Sequence, residues 1–395
     1  YIVSFTAIIF SIISFFMSEK IKNYLIIIFI SIGISLYSFE IYLKFFNNPI
    51  QVNKIEIYEK KTGKRYDTRS KIKIYNDLKE KDENIKMMTY PTLLLGKNSK
   101  IFPLANISHS KTIYCNENGY YSIYESDRYG FNNPDEEWDQ TEVEYILIGD
   151  SFVHGACVNR PNDISSVLRN LTNKSVLNLG FGDNGPLLEY ATLREYLLPK
   201  TKKVLWVYFE GNDLINLNDT LPNKILSNYL NDLEYTQNLK NKQSDIDKIV
   251  NQIIEIETKK KMKDEKKSNL SLFKKIIKLY YTRTLIFDLK REKPKIKPEF
   301  KKILELANNL VLDNNSKLYF IYLPEYSRYK KNYDNSNYIK IKKIINELSI
   351  PFIDIHTEVF KKHENPLIFF PFEEPGHYSV YGYKKIAEKI FELSK

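Results

Sequence analysis

Five short runs rich in β-branched and aromatic residues recur along the C-terminal part of the chain: Tyr145 to Ile148, Ser175 to Leu179, Lys203 to Phe209, Lys317 to Leu323 and Pro351 to Ile355. Helix-like stretches separate them, among them Ile164 to Leu171, Leu187 to Leu198, Pro298 to Leu312 and Tyr338 to Leu348, and a last one runs from about Val380 to Leu393. Strands that return through helices pair in parallel. The pattern therefore predicts an α/β fold, a five-stranded parallel sheet covered by helices on both faces. Sheets of this kind receive ligands at the carboxyl ends of their strands.

Four motifs fall at that edge. The first run ends in Gly149-Asp150-Ser151, which presents a hydroxyl where the strand breaks. Asn178-Leu179-Gly180-Phe181-Gly182 closes the second, Glu210-Gly211-Asn212-Asp213 closes the third, and Glu374-Pro375-Gly376-His377 precedes the terminal helix. Attack on an ester carbonyl requires a deprotonated nucleophile, and His377 is the natural base for Ser151 because an imidazole titrates near neutrality. Glu374, three residues before His377, is the expected partner of the other ring nitrogen. The developing oxyanion needs donors, and the expected set is the backbone N–H of Ser151, the N–H at Gly182 and the side-chain amide of Asn212.

In this order the motifs resemble the four blocks of the SGNH/GDSL hydrolases, a family of esterases, lipases, deacetylases and acyltransferases. The resemblance spans residues 116–395 and implies a flavodoxin-like three-layer α/β/α sandwich, with Ser151 as nucleophile, His377 as base, and Ser151, Gly182 and Asn212 as oxyanion donors. It also implies an acyl-serine intermediate in the hydrolysis of an ester, O-acetyl or another short acyl. Close relatives of that chemistry are O-acetyl transfer to, or deacetylation of, cell-surface polysaccharide, and a non-catalytic glycan-binding or assembly role on the same fold. The chain departs from the family pattern in three places. Glu374 stands where the family carries Asp, Glu210 occupies the usual glycine place of the third block, and Asp183 competes with Gly182 for the second-block position.

The remainder is read from composition and run length. Ile2 to Met17 and Tyr24 to Phe39 are apolar runs joined by the charged link Glu19-Lys20-Ile21-Lys22. They predict two transmembrane helices in residues 1–46, the first truncated because the chain opens at Tyr1, with Tyr37, Tyr42, Phe45 and Phe46 at an interface. Lys20 and Lys22 favour a cytoplasmic link and a periplasmic catalytic part at a bacterial inner membrane; Lys44, Lys54, Lys60, Lys61, Lys64 and Arg65 argue the other way. Residues 47–115 read as a charged juxtamembrane connector that packs only partly, and residues 221–297 as a helical insertion in the catalytic part, a hairpin or lid with a charged tip. Cys115 and Cys157 are an even pair that either bridges or stays as two buried thiols. The net charge of +10 is spread over a Lys-rich chain with no nucleic-acid motif, so no nucleic-acid partner is expected. With no phosphate loop and no Cys/His array, no cofactor and no metal are expected. The expected partners are the membrane and an acylated glycan or other ester.

Overall fold

A computed structural model describes residues 16–46, 50–96, 99–266, 268–290 and 293–395. They fall into two compact units, one formed by residues 54–262 and 294–395, the other by the described part of residues 1–53 together with 263–293.

The larger unit is built on a five-stranded, all-parallel sheet. Its strands are β4 (Val143–Gly149), β5 (Val176–Asn178), β6 (Thr201–Phe209), β7 (Lys317–Leu323) and β8 (Phe352–Asp354), numbered after three short strands described below. They lie in the order β5-β4-β6-β7-β8, the arrangement of a doubly wound sheet whose first strand has neighbours on both sides. Successive side chains on a strand point to opposite faces, and each face packs its own helices. On one side, Ile146, Ile148, Val204, Trp206 and Phe320 meet Leu187, Ala191, Phe300, Leu304 and Ile341, from the helices Pro186–Tyr196, Pro298–Asp313 and Ser336–Glu347. On the other, Tyr145, Leu147, Leu205, Val207 and Ile321 meet Ile164, Leu168, Ile386 and Ile390, from the helices Ile164–Thr172 and Val380–Leu393. This is the expected three-layer α/β/α sandwich.

The helix starts are encoded locally. Asp163 caps Ile164–Thr172 by accepting from the Ser166 N–H, Ser379 caps Val380–Leu393 by accepting from the Gly382 N–H, and Pro stands at the first position of Pro186–Tyr196 and Pro298–Asp313.

The segment expected to be a partly packed connector is integral to this unit from Lys54 onward. Its charges alternate with apolar residues that are buried: Ile72, Ile74 and Tyr75 on the helix Lys71–Lys79 pack with Ile85, Met87 and Ile113. The last three belong to a small sheet of β1 (Ile85–Met87), β2 (Lys111–Ile113) and β3 (Ile123–Glu125). Phe102 and Leu104 join the main core directly. What the segment buries follows from where its apolar residues fall on each element, not from its average polarity.

The insertion divides. Its first helices, Lys224–Asn231 and Gln243–Lys266, bury Leu226, Leu230, Ile246 and Ile253 in the main core, whereas Leu233 and Ile256 are exposed. Its later helices, Ser268–Ile277 and Tyr280–Lys290, belong to the smaller unit with the helix Glu19–Phe46. That helix begins at Glu19, so the supposed charged link is its first turn. Residues 19–45 are the one described stretch long and apolar enough to cross a membrane. The first apolar run lies outside the described residues up to residue 15.

Candidate active site

β4 is buried along its whole length, and its end is held tightly. A Cβ at Gly149 would come within 2.5 Å of Val153 Cγ2 and 2.7 Å of the Val207 carbonyl, so only glycine lets the chain turn there. Asp150 then accepts from the Phe152 N–H at 2.9 Å and caps the short helix Ser151–His154. Ser151 is thereby raised at the strand end with its hydroxyl facing the loop that carries His377.

The structure brings these two residues together. His377 Nε2 lies 2.9 Å from Ser151 Oγ. The other ring nitrogen, Nδ1, lies 3.1 Å from Oε1 of Glu117, whose Oε2 accepts from the His377 backbone N–H at 2.6 Å. Both carboxylate oxygens are therefore engaged by one residue. The result is a continuous chain carboxylate–imidazole–hydroxyl, about a quarter exposed at the first two members.

The carboxylate is a correction to the sequence-based expectation. Glu117, not Glu374, holds the ring. The backbone at Phe372 and Glu373 is left-handed (φ 57° and 61°), so the residues before His377 form a bend rather than a straight three-residue reach. Gly376 then lies against Glu117, where a Cβ would approach Oε2 to 2.7 Å. The neighbouring Glu373 accepts instead from the Asn365 side chain.

Glu117 arrives from a distant segment fastened to the stretch that follows Ser151. Cys115 and Cys157 form a disulfide, and the Asn118 amide donates to the Cys157 carbonyl at 3.0 Å. Asn116 braces the turn by donating to the Asp67 carbonyl and accepting from the Gly119 N–H. Cys157 Sγ is 3.7 Å from His377 Nδ1, so Glu117, Cys157 and His377 form a compact group. It is a poor metal set: the sulfur is in a disulfide and the carboxylate and imidazole are committed to each other.

The electrostatics follow. Burial pushes the His377 imidazole down, but the hydrogen bond and charge of Glu117 outweigh it, leaving His377 above its ordinary value. Burial likewise pushes Glu117 up, and its bonds to His377 reverse this and hold it low. Asp150, beside Ser151, is pushed up to about 6 by burial, partly offset by the Phe152 N–H, the His377 charge and hydrogen bonds from Ser151 and Asn212. Glu189 and Asp213 are fully buried and pushed well above the carboxylate range, first by burial and then by neighbouring carboxyls, which favours their neutral forms.

The expected oxyanion donors sit on the loops after β4, β5 and β6. Asn212 precedes the helix Asp213–Thr220 with its Oδ1 buried and unpaired. Gly182 packs against Tyr90 and Tyr114, and a Cβ there would reach 2.6 Å from the Tyr114 hydroxyl. The two acidic departures have partners of their own. Asp183, in a left-handed conformation, is held by Thr92 and by Asn216, which donates to its Oδ1 at 3.0 Å. Glu210 forms a buried, two-pronged ion pair with Arg328 and also accepts from the Tyr322 hydroxyl and the Glu325 N–H.

The neighbouring motif residues have structural roles. His154 is buried among Tyr114, Tyr124 and Phe181, and burial lowers it to about 4. Arg128 pairs with Asp135 and Asp139. Asp127 gathers the Tyr129 and Phe131 N–H groups with the Asn133 and Trp138 side chains, and Asn133 in turn brackets Asn178 at the end of β5.

No family model and no curated protein matches the sequence. Among solved structures, the chain is similar to a protein described as lipolytic and of the G-D-S-L family from Desulfitobacterium hafniense, at 14% identity and a TM-score of 0.37 over 64% of this chain and 99% of that one. It is also similar to the YxiM protein of Bacillus subtilis, at 11% identity and a TM-score of 0.37 over 64% of this chain and 56% of that one. A third is an acetyl xylan esterase, at 12% identity and a TM-score of 0.35 over 63% of this chain and 98% of that one.

Proposed function

We propose that the chain is a membrane-anchored serine esterase of the SGNH/GDSL type that works through an acyl-Ser151 intermediate. The observation that carries this is the hydrogen-bonded chain Glu117–His377–Ser151 at the carboxyl edge of a parallel sheet. His377 Nε2 takes the proton from Ser151 Oγ as Oγ bonds to the acyl carbon, then returns it to the departing alcohol. Water enters by the same route: His377 deprotonates it, the C–Oγ bond breaks, and Ser151 recovers its proton as the acid leaves. Glu117 fixes the tautomer and stabilises the imidazolium in both halves. Ser151, Gly182 and Asn212 are the oxyanion donors in this reading.

The anchor is the helix Glu19–Phe46, about 42 Å long at 1.5 Å per residue and therefore long enough for a bilayer core of about 30 Å. The Cys115–Cys157 bridge favours an oxidising compartment for the catalytic unit, with the Lys20 and Lys22 end cytoplasmic. The substrate class is a short acyl ester, such as an O-acetyl group on a surface polysaccharide, where a sugar hydroxyl in place of water would make the reaction a transfer. The test is fluorophosphonate labelling and turnover of a short-chain aryl ester by the full chain and by Ser151→Ala. The reading expects one adduct, on Ser151, and loss of both signals in the variant with its melting curve retained. Unlabelled native protein would favour a binding role instead, and full turnover by Ser151→Ala would sink the mechanism.

A further inference from the structure

A carboxylate in an apolar helix needs a partner. Glu40 lies in Glu19–Phe46, is fully buried, and its two oxygens accept from the backbone N–H groups of Tyr281 and Thr282 and from the Thr282 hydroxyl, at 2.7 to 2.8 Å. Those N–H groups are the unsatisfied first turn of the helix Tyr280–Lys290, so Glu40 is its cap, supplied from more than two hundred residues away. Tyr37, one turn earlier, donates to the Ile277 carbonyl at the end of Ser268–Ile277. The later half of the insertion is thus a helical hairpin locked onto the apolar helix by polar bonds at both sides of its turn.

The depth of that lock can be read from the helix. Glu40 follows Glu19 by 21 residues, or about 32 Å of rise, roughly one hydrocarbon thickness from the charged end at Glu19, Lys20 and Lys22. Its place is therefore the far interface of a bilayer. The hairpin leaves large apolar side chains uncovered there, Phe273 at 66% exposed and Phe287 at 70%, with Ile277, Tyr280 and Ile286 also exposed. Exposed Lys274, Lys275, Lys278 and Arg283 are interleaved with them. Apolar anchors with interspersed cations on short helices suit the headgroup layer of an anionic bilayer.

We infer that the hairpin Ser268–Lys290 is a second membrane element, seated in the anionic interface and held at that depth by Glu40. The occupant of its apolar face is lipid, continuous with the lipid around the exposed Ile26, Ile30 and Ile34 of the apolar helix. The inference rests on reading Glu19–Phe46 as a membrane span.

The test uses the full chain in vesicles of phosphatidylcholine and phosphatidylglycerol carrying a photoreactive acyl chain, with adducts mapped by mass spectrometry. Lipid adducts are expected on residues 24–39 and on 272–287, and Phe273→Asp with Phe287→Asp should remove the second set alone. Adducts on 24–39 only, or crosslinks from the hairpin to protein in place of lipid, would overturn the hairpin and leave the span standing. Adducts on neither would overturn both. Hydrogen exchange reads the lock separately: Glu40→Ala should speed exchange at Tyr281 and Thr282 by about tenfold or more, and unchanged rates would refute the cap.

Discussion

Replacing Glu117 by Gln separates this triad from the one the motif spacing suggests. Glutamine keeps the size and can still accept from an N–H, so the fold and the ring position should survive. The charge is lost. At the observed 3.1 Å separation and an effective dielectric constant of about 20, a carboxylate stabilises an imidazolium by about 5 kcal/mol. Partial exposure of both groups screens some of this. The expected fall in kcat/KM is therefore about 10³ to 10⁴-fold, the scale of a triad that loses its carboxylate. Aryl-ester turnover from pH 5 to 9 gives a second readout. Catalysis needs neutral His377, and Glu117 raises its pKa, so the acid limb of the native profile should lie above 6.5. Without that carboxylate, burial opposes only the smaller pull of the Asp150 charge, and the limb should move to lower pH. Glu374→Gln should leave rate and profile within about twofold. A Glu117→Gln variant within tenfold of the native rate, or one no more damaging than Glu374→Gln, would refute the assignment.

The same pair sets a pH dependence for stability. His377 is raised and Glu117 lowered, so their contribution is fully present between about pH 4.5 and 6.5. It is lost as pH falls through the lowered Glu117 value and as it rises through the raised His377 value; melting curves in which Glu117→Gln costs most above pH 8 would contradict this. Replacing Cys115 and Cys157 together by Ser removes a crosslink spanning 42 residues, worth roughly 4 kcal/mol on chain-entropy grounds, and should also lower kcat where the variant is still folded. An unchanged kcat there would show that Glu117 is positioned without the bridge. Arg328→Ala strands the buried Glu210 carboxylate and should cost about 3 to 5 kcal/mol in urea unfolding, and a loss under 1 kcal/mol would show that water reaches the pair. Asp183→Asn should change the rate less than about threefold, because the carboxylate is already held by Thr92 and Asn216; a large gain would show that its charge opposes the oxyanion.

The sheet was legible because it depends on periodicity within short windows. β4 to β8 coincide with the five runs, and their layers follow from alternate burial along each strand. The Ser151–His377 pair was legible because each residue stands beside an element boundary, Ser151 two residues past β4 and His377 three residues before the helix Val380–Leu393. Glu117 was not. It lies in a turn, Asn116-Glu117-Asn118-Gly119, whose composition says only that the chain bends, and its contact with His377 spans 260 residues. The signal available was its neighbour: Cys115 two residues before and Cys157 six residues after Ser151 mark the two loops as partners, once the bridge is accepted. The small sheet was missed for another reason, since three-residue strands carry too little pattern to rise above charged surroundings.

The two acidic departures show why residue identity at a motif position is weaker information than the partner it finds. Glu210 alone would place a charge beside Asn212 and oppose an oxyanion. Paired with Arg328 and bound by Tyr322, it becomes a local dipole facing β7 and the loop beyond it. That pair has a structural consequence of its own: it joins the loop after β6 to the loop after β7, so the Gly211-Asn212-Asp213 turn is held by charge-assisted bonds rather than by a third-block glycine. Asp213 accepts from the Phe209 N–H at 2.8 Å and secures the turn from its other side. Rigid support of this kind is what an oxyanion donor at Asn212 requires, since preorganised dipoles stabilise developing charge without reorienting during the reaction. In the proposed mechanism Glu210 therefore acts by fixing the loop that carries Asn212, with its charge paired by Arg328.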